Sequence, residues 1–338
     1  MGKYVFWLSE LGKEHSSVMG KKCANLGEIM KLKLQAPNGF ALSVEAYQDF
    51  LNESGAVEEI RKVLSRYSDG INDINLYNEV SQELRTIVIS RDIPPSMKES
   101  ILASYRELCH KCNVDNAAVS TRSAGPLSRP GQYETYLNVI GESDLLEKIK
   151  MVWASSFNPR SLAYREQRAM PLESDPIGVA VLKMVNARAA GVLFTADPNT
   201  GDTAKMIIEA NWGLGESVVS GEANPDIYFL DKDSLELTQK KLGQKLKYVT
   251  FKETGIAEED TPLDKRNVFC LSDEEIREIG KMGKVLEEHF GDPQDVEWAI
   301  DRDFAFPESV MLLQTRAAKI IPKKSPVDQV ADLMIKWL

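Results

Sequence analysis

Histidine and cysteine are both scarce in this sequence. Three histidines and four cysteines occur among 338 residues, so a disulfide framework is not expected. Cys109 and Cys112 form a single C-x-x-C motif without a second cysteine pair at zinc-ligand spacing. Packing on a helix is therefore favoured for these two cysteines over a zinc or redox site.

Long hydrophobic runs are absent as well. The apolar stretch KYVFWL at residues 3–8 is followed at once by Ser9 and Glu10, and it is too short for a signal-peptide core or a membrane span. A net charge of −10 argues against DNA or RNA as a partner, although a local group of Lys and Arg can still bind a small anion. We expect a cytoplasmic protein that binds neither membrane nor nucleic acid.

The common glycine-rich phosphate loops are also missing. No G-x-x-x-x-G-K-[ST] motif occurs, which excludes a P-loop protein, and GLGES at 213–217 lacks the third glycine of a dinucleotide-binding fingerprint. Two other places remain for an anion. Lys22 stands beside a glycine before a predicted helix start, and Arg122 enters a loop from an apolar strand. Solvated lysines and an intramolecular ion pair are the alternatives at these positions.

The rest of the sequence is typical of a globular protein, with 43% hydrophobic and 27% charged residues and enough length for two or three subdomains. Ser43 predicts a helix N-cap, and a helix follows the prolines at 94–95. From Ala117 onwards, apolar or alternating runs broken by Gly and Pro predict strands. Segment 235–268 is polar and predicts a hairpin with loops. The expected fold class is α+β.

Two helices interrupt the strand-rich second half. One is predicted over 143–157. The other is predicted over 271–291, where Ser272 and Glu275 form a capping box and Gly291 ends the helix.

Charged residues occur where buried strands should have none, in DVEWAIDRDFAFPESVMLLQTRAAK at 295–319. Asp295 and Glu297 share one face of the first predicted strand, and Gln314 and Arg316 share one face of the second, because i and i+2 point the same way. Carboxylate and amide oxygens suit Mg²⁺ that also contacts substrate phosphates. The alternative is a structural salt bridge between Arg316 and Glu297 or Asp295.

These segments resemble, in order, the ATP-binding domain shared by phosphoenolpyruvate synthase, pyruvate phosphate dikinase and rifampin phosphotransferase. The resemblance covers roughly residues 5–320 and is carried by GKKCANLGE, PNGFALS, AAVSTRS, GQYETYLNV, SSFNPRSLAYR, VLKMV, AGVLFTADPNTG, NWGLGESVVSGEANPD, DVEWAI and LLQTRAAK. It implies an ATP-grasp fold that holds the nucleotide between two subdomains. We expect boundaries at 1–198 and 199–322, with 323–338 as a linker or partner-docking helix.

The resemblance also implies roles for residues of the first subdomain. Lys22 and Arg122 resemble residues that contact the ATP phosphates, and Arg160 resembles a second arginine on the nucleotide side. Met184 and Val185 match the adenine-side hinge.

In the second subdomain, Glu297 and Gln314 look like the Mg²⁺ ligands, with Asp295 beside them. Arg316 is similar to the arginine that contacts the transferred phosphates. The implied catalytic group is therefore Lys22, Arg122, Asp295 and Arg316.

Two departures from the family pattern concern the nucleotide site. Leu182 stands where the family has a hinge glutamine, so a polar contact to adenine is missing. The loop between Arg122 and Gly131 is several residues shorter than in phosphoenolpyruvate synthases, and Arg129 is a candidate replacement for its phosphate contacts.

A third departure concerns the phosphate acceptor. Full enzymes of the family pass phosphate through a histidine on another domain, whereas His15, His110 and His289 all lie outside such a context. We therefore expect a partner subunit or domain that carries a phosphorylatable histidine and binds the small-molecule acceptor. Among family members built from separate chains, the small subunit of phenylphosphate synthase fits best, which implies a hetero-oligomer that phosphorylates phenol and releases AMP and phosphate.

Other functions remain open. The chain could be an excised domain of a single-chain phosphoenolpyruvate synthase or rifampin phosphotransferase. It could instead be a non-catalytic nucleotide-binding regulatory subunit, although the expected site residues are all present. A carboxylate–amine ligase would share the ATP-grasp fold but would produce ADP.

Overall fold

The structure is a computed structural model. It describes residues 4–67, 70–71, 73–125, 133–173, 175–253 and 255–320. By internal contacts the chain divides into two compact units, the first comprising Met1–Val185 and Phe251–Ala257 and the second comprising Asn186–Thr250 and Glu258–Leu338. The expected boundary at 198/199 lies after the observed one, and the expected tail at 323–338 falls outside the described residues.

The first unit contains a five-stranded antiparallel sheet in the order β1-β2-β5-β3-β4. Its strands are β1 (Val5–Trp7), β2 (Gly39–Leu42), β3 (Val119–Ala124), β4 (Thr135–Val139) and β5 (Gly178–Lys183). Its helices are α1 (Ser16–Met19), α2 (Lys21–Lys31), α3 (Val44–Glu53), α4 (Ala56–Leu64), α5 (Ile74–Ser90), α6 (Pro95–Lys111), α7 (Glu142–Ala154) and α8 (Pro159–Glu166).

The core of the first unit lies between this sheet and the longer helices. Trp153 of α7 is fully buried and stacks on Phe50 and Tyr47 of α3, with ring centroids 4.8 and 5.6 Å away. The predicted N-cap of α3 is confirmed, because the Ser43 hydroxyl accepts a hydrogen bond from the Ala46 amide at 3.1 Å. The predicted helix after Pro94 is confirmed as α6.

The second unit contains a six-stranded antiparallel sheet in the order β13-β12-β6-β7-β8-β9. Its strands are β6 (Ala187–Phe194), β7 (Lys205–Trp212), β8 (Asp226–Asp231), β9 (Leu237–Lys241), β12 (Gln294–Asp301) and β13 (Val310–Ala317). Strands β10 (Lys247–Phe251) and β11 (Ile256–Asp260) form a separate pair. The helices are α9 (Glu216–Val219), α10 (Leu263–Arg266) and α11 (Asp273–Phe290).

Strand β6 explains the position of the unit boundary. The expected boundary at 198/199 lies four residues after Phe194, the last residue of β6. In the structure β6 pairs with β7 on one side and β12 on the other. The whole strand therefore belongs to the second sheet, and the first segment of the first unit ends at Val185.

Helix α11 covers one face of the six-stranded sheet. Its predicted capping box is confirmed, since the Ser272 hydroxyl accepts from the Glu275 amide at 3.2 Å and the Glu275 carboxylate accepts from the Ser272 amide at 2.9 Å. Gly291 ends the helix with a φ of 82°, as predicted. At Gly283 a Cβ atom would lie 2.3 Å from the side chain of Leu193 in β6, so the helix lies close against the sheet.

The polar segment 235–268 is more ordered than its composition suggests. It contains β9 and the predicted hairpin, formed by β10 and β11. Lys245, between β9 and β10, is fully buried and donates to the buried Asp226 carboxylate at 2.5 Å. That carboxylate also accepts from the Gly243 and Cys270 amides at 2.8 and 2.9 Å, so it fixes the start of β8 to two loops.

None of the helices in the described segments combines the length and apolar character needed to cross a lipid bilayer.

Candidate functional site

The charged residues near the carboxyl end lie on two neighbouring strands, as the sequence predicts. In the β12–β13 pair, Glu297 is directly opposite Gln314, and Asp295 is directly opposite Arg316. The Gln314 amide nitrogen donates to the Glu297 carboxylate at 3.1 Å. The Arg316 guanidinium contacts the Asp295 carboxylate through Nε at 2.8 Å and Nη2 at 2.6 Å.

The structure thus contains one of the salt bridges that the sequence left open, between Arg316 and Asp295. Glu297, in contrast, is paired across the strands with an amide. Gln314 and Asp295 are largely buried, and Arg316 is about half exposed with 45% of its side chain accessible. The guanidinium can therefore contact both a buried carboxylate and a ligand arriving from solvent.

All four side chains lie on the sheet face opposite α11. Val296 pairs with Thr315 on one side and with Leu193 on the other. Leu193 packs against α11 beside Gly283, which places Val296 on the helix-covered face. Its neighbours Asp295 and Glu297 therefore point to the other face, because side chains alternate along a strand.

A β-bulge sets the register of this group. Glu297 pairs with Gln314, but the next residue, Trp298, pairs with Leu312. Leu313 is therefore an extra residue in β13 with no opposite partner in β12.

The same cross-strand row contains a carboxylate that the sequence analysis missed. Val192 of β6 lies opposite Glu297 on one side and opposite Glu209 of β7 on the other. Residues directly opposite each other share a face, so Gln314, Glu297, Val192 and Glu209 form one row. At about 4.8 Å per strand, the backbones of Glu297 and Glu209 are about 10 Å apart. Glu209 is a single polar residue in an apolar run, and only the register between strands identifies it.

Burial opposes ionisation of two of these carboxyl groups. The pKa of Asp295 is raised by burial, an effect that the positive charge and hydrogen bond of Arg316 partly offset and that the nearby Glu297 carboxylate adds to. Burial raises the pKa of Glu209 as well. A cation bound at this face would favour the charged form of both groups.

The donor set fits a partly solvated divalent ion. Across the part of the chain that the structure describes, no three or more His, Cys, Asp and Glu side chains are grouped as a metal site. The pair of Glu297 and Gln314 therefore offers two hard oxygen ligands rather than a complete cage. Mg²⁺ typically binds in this way, through one or two protein oxygens together with phosphate oxygens and water.

In the first unit, Lys22 lies in the first turn of α2. The helix begins at Gly20, which has a φ of 80° and lies so close to the end of β3 that a Cβ atom would be 2.5 Å from the Ala124 carbonyl carbon. The Lys21 amide donates to the Gly125 carbonyl at 3.3 Å. This contact between the helix start and the strand end requires glycine at position 20.

The positive charges of Lys22 and Arg122 both influence the pKa of the same buried thiol, that of Cys23. Burial raises the pKa of Cys23 to about 12, and the positive charges of Lys22 and Arg122 oppose that rise. The two cations that the sequence assigns to ATP phosphates are thus brought together around the start of α2 and the end of β3. An α-helix N-terminus adds a partial positive charge of its own.

The other nucleotide-side residues are placed differently. Met184 and Val185 follow β5 at the end of the first unit's longer segment, and the Met184 amide donates to the Ala118 carbonyl at 2.8 Å. Leu182 is buried within β5, opposite Gly39 and Ser120.

Arg160 is exposed in the first turn of α8. The buried arginine of this segment is Arg165, which the sequence analysis did not single out. It donates to backbone carbonyls, among them those of Ser156 at 2.7 Å and Leu172 at 3.2 Å. Gly131 and Arg129 lie outside the described residues.

The remaining cysteines and histidines support packing roles. Cys109 and Cys112 are free thiols at the end of α6, and the Cys109 sulfur accepts from the Ala117 amide at 3.2 Å. His289 lies in the last turn of α11 against the ring of Phe290 at 5.0 Å.

Two α+β units, one with paired cations at a helix start and the other with a carboxylate–amide–guanidinium group on the sheet face opposite α11, combine features found in proteins that bind a phosphorylated ligand with a divalent ion. The comparisons with known proteins give the family. The model of the pyruvate phosphate dikinase AMP/ATP-binding domain matches residues 16–336, and the chain belongs to this family.

Relatives at about one-third identity carry the name phosphoenolpyruvate synthase. A probable phosphoenolpyruvate synthase of Archaeoglobus fulgidus is 36% identical over 325 residues, covering 95% of this chain and 42% of the relative. That of Methanothermobacter thermautotrophicus is 34% identical over 347 residues, covering 100% and 49%. The chain thus spans less than half the length of these relatives.

A solved structure of the dinucleotide-forming acetyl-coenzyme A synthetase 1 of Ca. Korarchaeum cryptofilum aligns with a TM-score of 0.31 and 12% identity, over 58% of this chain and 74% of that chain. A likeness this low carries no argument about the fold.

Proposed function

We propose that this chain binds Mg-ATP in an ATP-grasp arrangement and forms the ATP-cleaving part of a dikinase-type phosphotransferase. The observation that carries the proposal is the β12–β13 pair, where Glu297 meets Gln314 and Asp295 meets Arg316. In a chain of the pyruvate phosphate dikinase AMP/ATP-binding family, this pair would supply oxygen ligands and one cation on the same face of the sheet.

The residues of the second unit would act on the metal and the transferred phosphates. Glu297 and Gln314 would hold Mg²⁺, and Asp295 would stay charged through Arg316 and the ion. The bound ion would neutralise charge that develops on the phosphates. Arg316, half exposed on the edge strand, would contact the phosphates by its guanidinium fork. Glu209, further along the row, would contribute a second negative charge near the ion.

The residues of the first unit would bind the rest of the nucleotide. Lys22 and Arg122 would contact the phosphates at the start of α2. Met184 and Val185 would line the adenine side, and Arg160 would add an arginine on the nucleotide side. Leu182 presents only an aliphatic side chain, so base recognition there would depend on backbone groups and shape.

The chemistry would be positioning and electrostatics rather than covalent catalysis by this chain. A histidine nitrogen of a partner subunit or domain would attack the β-phosphorus of ATP, and the bond to the α-phosphate oxygen would break, releasing AMP. Water would then remove the terminal phosphate and leave a phosphohistidine. Lys22, Arg122 and Arg316 would stabilise the negative charge that passes between these groups.

The first candidate for the final phosphate acceptor is phenol. A histidine-bearing partner that phosphorylates phenol, as in phenylphosphate synthase, would make this chain the smaller subunit of a hetero-oligomer. The named relatives favour a second candidate. Because they are phosphoenolpyruvate synthases more than twice as long as the matched region, the chain would then act as the ATP-binding part of such a synthase.

The nucleotide product separates these functions from other ATP chemistry. Purified chain would be incubated with Mg-ATP, a histidine-bearing partner and either phenol or pyruvate, and the products would be resolved by ³¹P NMR. AMP and phosphate support the dikinase reaction, and the productive acceptor identifies the branch. ADP would contradict the proposal in favour of a simple kinase or ligase. Tight ATP binding without turnover with any partner would favour a regulatory subunit.

A further inference from the structure

A short turn before the candidate phosphate segment is closed by a histidine side chain. The Gly12 amide donates to Nδ1 of His15 at 3.1 Å, and the His15 amide donates back to the Gly12 carbonyl at 2.9 Å. Nδ1 can accept that hydrogen bond only while it carries no proton. The turn as it stands therefore requires His15 in the tautomer with the proton on Nε2.

A second partner for the same nitrogen is already in place. The Glu14 carboxylate lies 3.3 Å from Nδ1 of His15. When Nδ1 gains a proton, it becomes a donor that can bond to Glu14, and it no longer accepts from Gly12. The same atom thus has one partner for the neutral imidazole and another for the imidazolium.

The charged groups around the turn come from its own residues and from α2. Lys13 and Glu14 belong to the turn, while Glu28 and Lys31 face it from α2. Helix α1, which also packs on the turn, contains no titratable side chain. The Lys31 amine contacts both Glu14 and Glu28, at 3.2 and 3.3 Å, so the carboxylate that would accept the new hydrogen bond is already oriented.

The turn is joined to the segment that carries Lys22. Glu28, buried in α2, accepts from the Lys13 amide at 3.0 Å. The Ser16 hydroxyl donates to the Lys13 carbonyl at 2.7 Å, and α1 then leads directly to Gly20 and the first turn of α2. A change in the Gly12–His15 turn therefore acts at the base of the loop that positions Lys22.

We propose that His15 is a proton-operated switch that holds the loop 12–20 in its phosphate-binding arrangement when neutral and releases the Gly12 end of the turn when protonated. Imidazole is the side chain whose ordinary titration falls between about pH 5 and 8. On acidification, the hydrogen bond between Nδ1 and the Gly12 amide would be replaced by one from protonated Nδ1 to the Glu14 carboxylate. The consequence for nucleotide affinity rests on the proposed function, whereas the change in the turn does not.

The direct test follows the Gly12 amide by NMR in the full chain labelled with ¹⁵N-glycine, between pH 5.5 and 8. The Gly12 resonance is expected to shift and to exchange faster with solvent as the imidazole protonates. His15→Asn retains an acceptor at the δ position at every pH, so its Gly12 resonance should not titrate. His15→Gln places its amide at the ε position and should give the open turn throughout.

The Glu14→Gln variant tests the second partner. Removal of the carboxylate charge leaves the imidazolium without its anionic acceptor, so the transition of the Gly12 amide should move to lower pH. A Gly12 resonance that stays constant while the His15 ring titrates, or one that titrates equally in wild type and His15→Asn, would overturn the switch.

Calorimetric titration with Mg-ATP at the same pH values tests the consequence for nucleotide affinity. Wild type should lose about three- to tenfold more affinity on acidification than His15→Asn, the size expected for one hydrogen bond. Equal losses in the two proteins would show that the loop does not transmit the change to the site. Failure of wild type to bind Mg-ATP at any pH would refute the proposed function, while the Gly12 resonance would still decide the switch.

Discussion

Glu209 and Glu297 stand on either side of Val192 in a single cross-strand row of the six-stranded sheet. Both lie on the face opposite α11. Burial makes the charged form of Glu209 unfavourable and so raises the electrostatic free energy of the folded chain. A bound divalent ion with its phosphates would lower it.

The metal role of Glu297 gives the first prediction. Glu297→Gln should weaken Mg-ATP binding by about tenfold or more, because the charged oxygen ligand is replaced by a neutral one. It should also reduce the difference between titrations with Mg-ATP and with ATP in EDTA. Glu274→Gln, the same change at an exposed position of α11, is the matched control and should leave both titrations unchanged. Equal behaviour of the two variants would remove Glu297 from the metal site.

The charged carboxylate of Glu209 is expected to destabilise the folded state. Since burial raises its pKa, the folded state holds this proton more tightly than the unfolded state. Stability linked to the group therefore rises as the pH falls through the raised pKa, and it is lowest above that pKa. At pH 7 Glu209→Gln should raise Tm by about 1–3 °C, and it should weaken Mg-ATP binding.

Thermal unfolding at pH 5 and pH 7 checks the sign of this effect. The stabilisation by Glu209→Gln should shrink at the lower pH, where the wild-type carboxyl begins to take up its proton. A variant that is less stable than wild type at pH 7 would show that the folded state favours the charged carboxylate.

The buried ion pair predicts a contrast between two neighbouring lysines. Lys245→Met leaves the Asp226 carboxylate charged and buried without its cation, so it should lower the free energy of unfolding by about 3–5 kcal/mol. Lys247→Met removes an exposed partner of Glu258 and should leave the free energy of unfolding nearly unchanged. Urea denaturation followed by tryptophan fluorescence measures both. Similar losses would mean that the burial of Lys245 has no energetic role.

Gly20 gives a prediction about the phosphate side. Gly20→Ala adds a Cβ atom 2.5 Å from the Ala124 carbonyl carbon, which forces the start of α2 away from β3. We expect Mg-ATP affinity to fall by at least about tenfold, because Lys22 moves with the helix. Gly55→Ala is the control, since Gly55 also has a positive φ, of 71°, but no atom within 4 Å of the added Cβ.

The Gly55 variant should lose about 1–2 kcal/mol of stability through backbone strain, and its nucleotide affinity should be unchanged. Calorimetric titration and thermal unfolding separate the two effects. If Gly20→Ala lost stability but bound Mg-ATP normally, the start of α2 would not contact the phosphates.

The sequence predicts the local parts of this structure well. The capping box of α11, the N-cap of α3 and the shared face of Asp295 and Glu297 each depend on residues a few positions apart, so their spacing is visible in the chain. Local spacing does not predict which strands pair with each other. Glu209 joins the row only through the register between β6 and β7, which is set by contacts distant in sequence.

The burial of Lys245 could not be predicted for a related reason. Its surroundings in the sequence are polar and lysine-rich, which favours an exposed loop. The carboxylate that compensates its charge, Asp226, lies 19 residues earlier in the chain. The observed boundary at 185/186 differs from the expected one at 198/199 because hydrogen bonds across β6 assign that strand to the second sheet.

The extra residue at Leu313 has a consequence for how this region tolerates change. Were Leu313 paired with Glu297 in a regular ladder, Gln314 would meet Val296, and the amide and guanidinium would be directed into the apolar layer beneath α11. Deletion of Leu313 would keep the observed pairs, because Gln314 would then follow Leu312 directly and still meet Glu297. Deletion of Thr315 is therefore expected to be far more damaging than deletion of Leu313, since it would turn Arg316 to the face covered by α11.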